Sequence, residues 1–154
     1  MEGRMADGPQ NQLGCGWKFP VQFECVSGEP KAAQVMMSRD ADNIKESLQV
    51  LFSTQPYERV MRAGYGCDLQ AFVFENISDG LRTEIRQMIS DAVQTYEPRG
   101  TLVSIDFRPD SNSPWTLNID IAYRIPLNNT VQHVGGRLNF GSPQGGWLAQ
   151  RAAG

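Results

Sequence analysis

Apolar residues recur every three or four positions in two stretches of the chain. Ile44, Leu48, Leu51 and Phe52 form one stripe, and Leu81, Ile85, Met88, Ile89, Ala92 and Tyr96 form the other. That spacing puts each set on one face of an amphipathic helix. The first helix is expected to open near Ser38 or Asp40, either of which can cap it, and to end around Thr54, before Pro56. Ser78 is placed to cap the second, with Asp79 in its first turn. Pro98 stops it, because proline lacks an N–H and its ring clashes with the preceding turn. Beyond Pro98 the period changes to two. Val103, Ile105 and Phe107 alternate with Leu102, Ser104 and Asp106 in an expected strand over 101–108. Trp115, Leu117, Ile119, Ile121, Tyr123 and Ile125 alternate with polar residues in the clearest strand of the chain. Residues 109–114 between them read as a turn, and Asn128-Asn129 as another. A third strand is expected over 131–140, with Val134, Leu138 and Phe140 on one face and a bulge or bend at Gly135-Gly136.

The remaining segments carry weaker patterns. Residues 21–26 alternate weakly, Ser27-Gly28-Glu29-Pro30 reads as a turn, and 33–37 can return as a second short strand. Trp17 and Phe19 read as aromatic anchors for the segment before them. Residues 51–69 form a long connection without a clear period, and such connections are usually functional or mobile. Three regions result: a polar arm over 1–12, one domain over 13–140, and a Gly-rich tail over 141–154 in which Trp147 is the lone anchor. The fold class is α+β. Two main helices pack on a small antiparallel sheet, and a C-terminal edge strand is left available for pairing with another chain.

Composition narrows the function classes. A length of 154 residues suits one domain with one core. The net charge of −3 points neither to nucleic acid nor to an anionic membrane surface. No apolar run approaches the roughly 18 residues of a membrane span. The first dozen residues are polar and include acids, unlike a secretory signal, so the chain is expected in the cytosol unless a larger particle carries it out. Cys15, Cys25 and Cys67 are odd in number and lack C-x-x-C spacing, so reduced thiols are expected rather than disulfides or a zinc site.

The chemistry centres on Glu97-Pro98-Arg99, between the best helix and the best strands. Pro98 pushes Glu97 out of helical geometry. In an extended segment, residues two apart point the same way, so the carboxylate and the guanidinium would emerge side by side. As a solvated pair they add only about 0–1 kcal/mol to stability. Against a partner such groups are worth about 2–5 kcal/mol when one side is truncated. A helix stop with two solvated charges and a docking element are both open on these residues alone.

A family resemblance favours docking. Gly16-Trp17-x-Phe19-Pro20, then Thr54-x-Pro56-x-Glu58-Arg59, then Glu97-Pro98-Arg99, then Tyr123-x-Ile125 fall in the order found in the contractile-tail baseplate wedge and sheath-initiator family. That family includes the TssE component of type VI secretion systems and also carries the name lysozyme-like. Tyr57 stands where the family usually has Gly, and Ala63 where Pro is common. The resemblance implies a structural baseplate subunit of a phage tail, tailocin, type VI system or extracellular injection particle. It implies docking on wedge proteins through Glu97, Pro98, Arg99, Glu58 and Arg59, and pairing with sheath subunits through the last strand, with Val134, Leu138 and Phe140. It further implies several copies per particle, no cofactor and no catalytic residue.

The alternative is a peptidoglycan-cleaving glycosidase. Glycosidic hydrolysis usually takes two carboxyl groups about 5–9.5 Å apart, one of them kept protonated by an apolar pocket. Glu58, Asp68, Glu75 and Glu97 are the candidates. Arg59 and Arg99 beside two of them favour the ionised form, the opposite of what a general acid needs. His133 is the one histidine, in an expected strand, and no nucleophile elbow accompanies it. His, Cys and acids do not cluster as a metal site requires.

Overall fold

The computed structural model describes residues 13–25, 33–142 and 146–149. The expected arm over 1–12 and the turn at 27–30 lie outside these residues. Two short antiparallel ribbons open the chain: β1 (Cys15–Trp17) pairs with β4 (Met37–Arg39), and β2 (Phe23–Cys25) pairs with β3 (Ala33–Val35). Helix α1 (Asp40–Ser53) follows, then a 3₁₀ turn (Leu69–Phe72) and helix α2 (Asp79–Tyr96). Strands β5 (Thr101–Asp110), β6 (Ser113–Ile125), β7 (Thr130–Asn139) and β8 (Trp147–Ala149) form one antiparallel sheet in that order.

The core is the meeting of the two expected stripes with the alternating face of β6. Ile44, Leu48, Leu51 and Phe52 of α1 are buried, as are Leu81, Ile85, Ile89, Ala92 and Val93 of α2. Leu117, Ile119, Ile121, Tyr123 and Ile125 complete the same cluster from the sheet. Each such side chain contributes about 1.5–3 kcal/mol on burial, most of it offset by the entropy of ordering the chain. Ser78 caps α2, its Oγ accepting from the Leu81 N–H at 3.2 Å.

The structure departs from expectation at Trp17, Phe19 and Trp115, which are exposed rather than tucked in, and in four of the elements. Arg39, not Ser38 or Asp40, is the N-cap of α1, and its side chain makes no cap hydrogen bond. Ser38 is committed to β4, where it lies opposite Gly16, and the ribbon runs on to Arg39 opposite Cys15. The turn after β5 shrinks to Ser111-Asn112, because β5 continues through Pro109 to Asp110. Proline is tolerated there because β5 is an edge strand. Gly135 and Gly136 form no bulge, since they pair in unbroken register with Asp120 and Ile119. Finally, the sheet extends past residue 140. Trp147, Leu148 and Ala149 pair with Leu138, Arg137 and Gly136, so β7 is flanked on both sides there and β8 becomes the C-terminal edge. Gly136 makes room for this: a Cβ at that position would overlap Cε2 and Cζ2 of the Trp147 ring. That ring packs on Phe52 with centroids 5.1 Å apart.

Candidate functional site

Helix α2 ends at Tyr96, and Glu97 caps it with φ −133° and ψ 64°, its N–H bonded to the Val93 carbonyl at 2.9 Å. That ψ is neither helical nor extended, and the Glu97 side chain is only 2% exposed. Arg99 folds onto it in a fork: Nε donates to Oε1 at 2.6 Å and Nη2 to Oε2 at 2.7 Å. Nη1 donates to the Leu13 carbonyl at 2.8 Å and to Asn43 Oδ1 at 2.9 Å. One guanidinium thus ties the α2–β5 junction to α1 and to the segment entering β1. The hydrogen bonds to Glu97, with the carboxylate charge, raise the Arg99 pKa against the opposing effect of burial.

The expectation for the pair is corrected in one respect. Glu97 and Arg99 do meet, but Glu97 does not present a charge to solvent. Its carboxylate is buried beneath the guanidinium, so Glu97 anchors the element from within. Pro98 is exposed and the Arg99 side chain is 34% exposed.

The connection from α1 to the 3₁₀ turn is closed by its own hydrogen bonds. The Cys67 N–H bonds the Thr54 carbonyl at 3.0 Å, the Tyr57 N–H bonds the Ala63 carbonyl at 2.6 Å, and the Tyr96 hydroxyl donates to the Gly64 carbonyl. Gly66 has φ +134°, and a Cβ there would lie 2.5 Å from the Thr54 carbonyl oxygen, so the closure requires glycine. Glu58 accepts the Gln55 N–H at 3.0 Å. The Arg59 guanidinium lies 4.5 Å from the Tyr65 ring centroid, with Arg62 at 5.8 Å. Tyr65 in turn meets the Tyr96 ring edge-on at 5.2 Å.

Tyr65 is therefore where the two charged motifs converge. Its pKa is raised by burial and, to a lesser degree, by the Glu97 charge, while Arg59 and Arg62 oppose the shift. Tyr65 and Arg99 share a small groove of about 180 Å³ with Trp17, Phe19 and Glu46. On either side of Arg59 the tip of the connection is bare, with Tyr57, Val60 and Met61 at 85%, 97% and 96% exposure. Tyr57 occupies the left-handed region at φ 69°. Sequence reasoning missed the bridging roles of Asn43 and the Leu13 carbonyl. Only the aromatic character of Tyr65 and Tyr96 was available as a signal.

The strand residues named for sheath pairing face inward. Val134 and Leu138 are fully buried and Phe140 is 1% exposed, so any pairing by β7 uses backbone groups rather than these side chains. Among the candidate carboxylates Glu58, Asp68 and Glu75 are exposed, and the one that is buried, Glu97, is held by a guanidinium. A general acid needs a buried carboxyl without such a partner. His133 lies 3.0 Å from Asp120 in a half-exposed pair across the sheet. Among the described residues no three of His, Cys, Asp or Glu converge as metal ligands, and no helix is long and apolar enough to cross a membrane.

Comparisons with known proteins agree with this architecture. Residues 38–130 match the family described as baseplate wedge protein gp25. The baseplate wedge protein gp25 of Enterobacteria phage T4 is 29% identical over 83 residues, 54% of this chain and 62% of the phage protein, less than two thirds of its length. A protein of the anti-feeding prophage baseplate, solved by cryo-EM with six-fold symmetry, is 33% identical with a TM-score of 0.65, over 73% of this chain and 85% of its own. A protein described as a tail lysozyme, from Geobacter sulfurreducens, is 29% identical with a TM-score of 0.60, over 66% of this chain and 92% of its own. With the helices, the connection between them and most of the sheet inside the matched region, the chain belongs to the baseplate wedge protein gp25 family.

Proposed function

We propose that this chain is a structural subunit of the baseplate of a contractile injection system, where it docks on wedge proteins and starts assembly of the sheath. The observation that carries this reading is the likeness in fold and sequence to a chain of the anti-feeding prophage baseplate. Six-fold symmetry in that assembly supports several copies per particle. The docking surface gathers around Tyr65: Glu58, Arg59 and the open edge of Arg99 form its polar part, with the Pro98 ring beside them. The bare tip, Tyr57, Val60 and Met61, forms its apolar part. Glu97 serves from inside by holding Arg99 still, which lowers the ordering cost on binding. The sheath would pair along the backbone edge of β7 over 130–135, beyond the short reach of β8.

Tyr57 gives a test with two opposed readouts. A non-glycine residue in the left-handed region carries strain of roughly 1–2 kcal/mol, and the exposed ring gains little within the monomer to offset it. Tyr57→Gly is expected to melt slightly above the native chain, yet to be captured less well by co-expressed wedge proteins. Equal capture of both chains would remove the tip from the docking surface, and no capture of the native chain would refute the baseplate reading. Clearing of a cell-wall suspension by the purified chain, lost in Glu97→Gln, would favour the glycosidase instead.

A further inference from the structure

A second, larger depression lies beside the connection, with Gly64 and Tyr96 in its lining. It has a volume of about 660 Å³ and runs between residues 56–68 and an outer face of α2. Its floor is apolar, with Phe72, Met88 and Ala92. Its rim is acidic: Glu84 and Asp91 rise from α2, and Asp68 stands opposite. Among the described residues no Lys or Arg lines it, and none of the three acids is paired with a cation. Asp91 is oriented by Gln87, whose Nε2 donates to it at 2.8 Å. These carboxylates remain exposed, whereas the floor beneath them is half-buried to buried.

We propose that this groove receives a basic, apolar-anchored segment of another subunit of the same particle. Glu84 and Asp91 are two helical turns apart, about 10.5 Å along the axis, with Met88 between them. The matching segment carries two Lys or Arg side chains at that separation, flanking one apolar side chain that enters the groove. The acids select the sign of the partner and steer its approach, and the Met88–Ala92–Phe72 floor removes apolar surface from water. The groove adjoins the surface around Tyr65 through Tyr96, which lines it and meets the Tyr65 ring, so a wedge partner could reach from one to the other. The identity of the partner rests on the baseplate reading.

The test uses the full chain produced together with the neighbouring wedge and sheath proteins. Glu84→Lys/Asp91→Lys places a good helix former at two exposed helical positions, so its melting temperature should not fall below that of the native chain. Capture of this variant is expected to fall at least tenfold, and capture of the native chain to weaken as salt rises. A benzophenone side chain at Thr95, which lines the groove, is expected to cross-link to a partner peptide with basic residues around an apolar one. Should the lysine variant melt low, Glu84→Gln/Asp91→Asn replaces it, with a smaller loss expected. Full capture of the charge variants, or a cross-linked peptide lacking basic residues, overturns the groove assignment and leaves the baseplate reading standing. Failure to capture even the native chain overturns both.

Discussion

Removing the Arg99 side chain is the sharpest probe of how the Glu-Pro-Arg element works. Arg99→Ala deletes two hydrogen bonds to Glu97, one to the Leu13 carbonyl and one to Asn43. It leaves a carboxylate that is 2% exposed without a counter-charge. Stripping one partner from a buried pair destabilises by about 3–5 kcal/mol, but Arg99 is one-third exposed, so water can reach the orphaned carboxylate and about 2–3 kcal/mol is expected. For a chain of this size that is a fall of about 5–10 °C in melting temperature. Glu97→Ala should be milder, about 1–2 kcal/mol, because the guanidinium keeps Leu13 and Asn43 and can be solvated. The double variant leaves no orphaned charge, so its loss should be smaller than the sum of the two single losses by about 1–2 kcal/mol. Urea denaturation of the four proteins at neutral pH gives the complete cycle. An Arg99→Ala protein within about 0.5 kcal/mol of native, or strictly additive losses, would refute the clamp and return the pair to the solvent.

Three further outcomes follow from packing, exposure and ionisation. Gly136→Ala drives a methyl group into the Trp147 ring and is expected to destabilise by about 1–3 kcal/mol and free β8, with most of the loss absent in a Trp147→Ala background; equal losses in both backgrounds, read by thermal denaturation, would show that the contact is not the cause. Cys15 and Cys25 are exposed and Cys67 is buried, so a thiol reagent should titrate two groups quickly and the third only on unfolding. Burial, with a smaller effect from Asp68, pushes the Cys67 thiol from 9.0 up to about 12. The unfolded chain therefore loses this proton first, and stability falls as pH rises from 9 toward 12, by at most about 1.4 kcal/mol per pH unit. Tyr123, pushed from 10.0 to about 12 mainly by burial, adds the same sign from pH 10 upward. Cys67→Ala should abolish the part of the decline that begins near pH 9, and an unchanged profile would contradict that assignment.

Much of the architecture was legible because it is set by local periodicity. The stripes of α1 and α2 and the alternation of β6 specify which face is buried, and each became the core face, with Trp115 at the start of β6 left exposed. Ser78 was legible as a cap because the bond it makes is three residues away. The cap of α1 was not, because β4 claims Ser38 through a partner more than twenty residues earlier in the chain. The role of Gly136 was invisible for the same reason: it depends on where a tryptophan eleven residues later comes to rest.

The same division runs through the candidate site. Residue order alone placed Glu97 and Arg99 two positions apart beside a proline that must break a helix, which put the two charges within reach of each other. It could not determine which of them would face water. That was decided by the burial of the α2 terminus, which drew the carboxylate inward, and by the arrival of Leu13 and Asn43 to complete the coordination of the guanidinium. Local spacing governs short-range geometry because the backbone has few soft degrees of freedom per residue. Burial and charge compensation instead depend on segments that only the folded chain brings together, and so they belong to the tertiary structure.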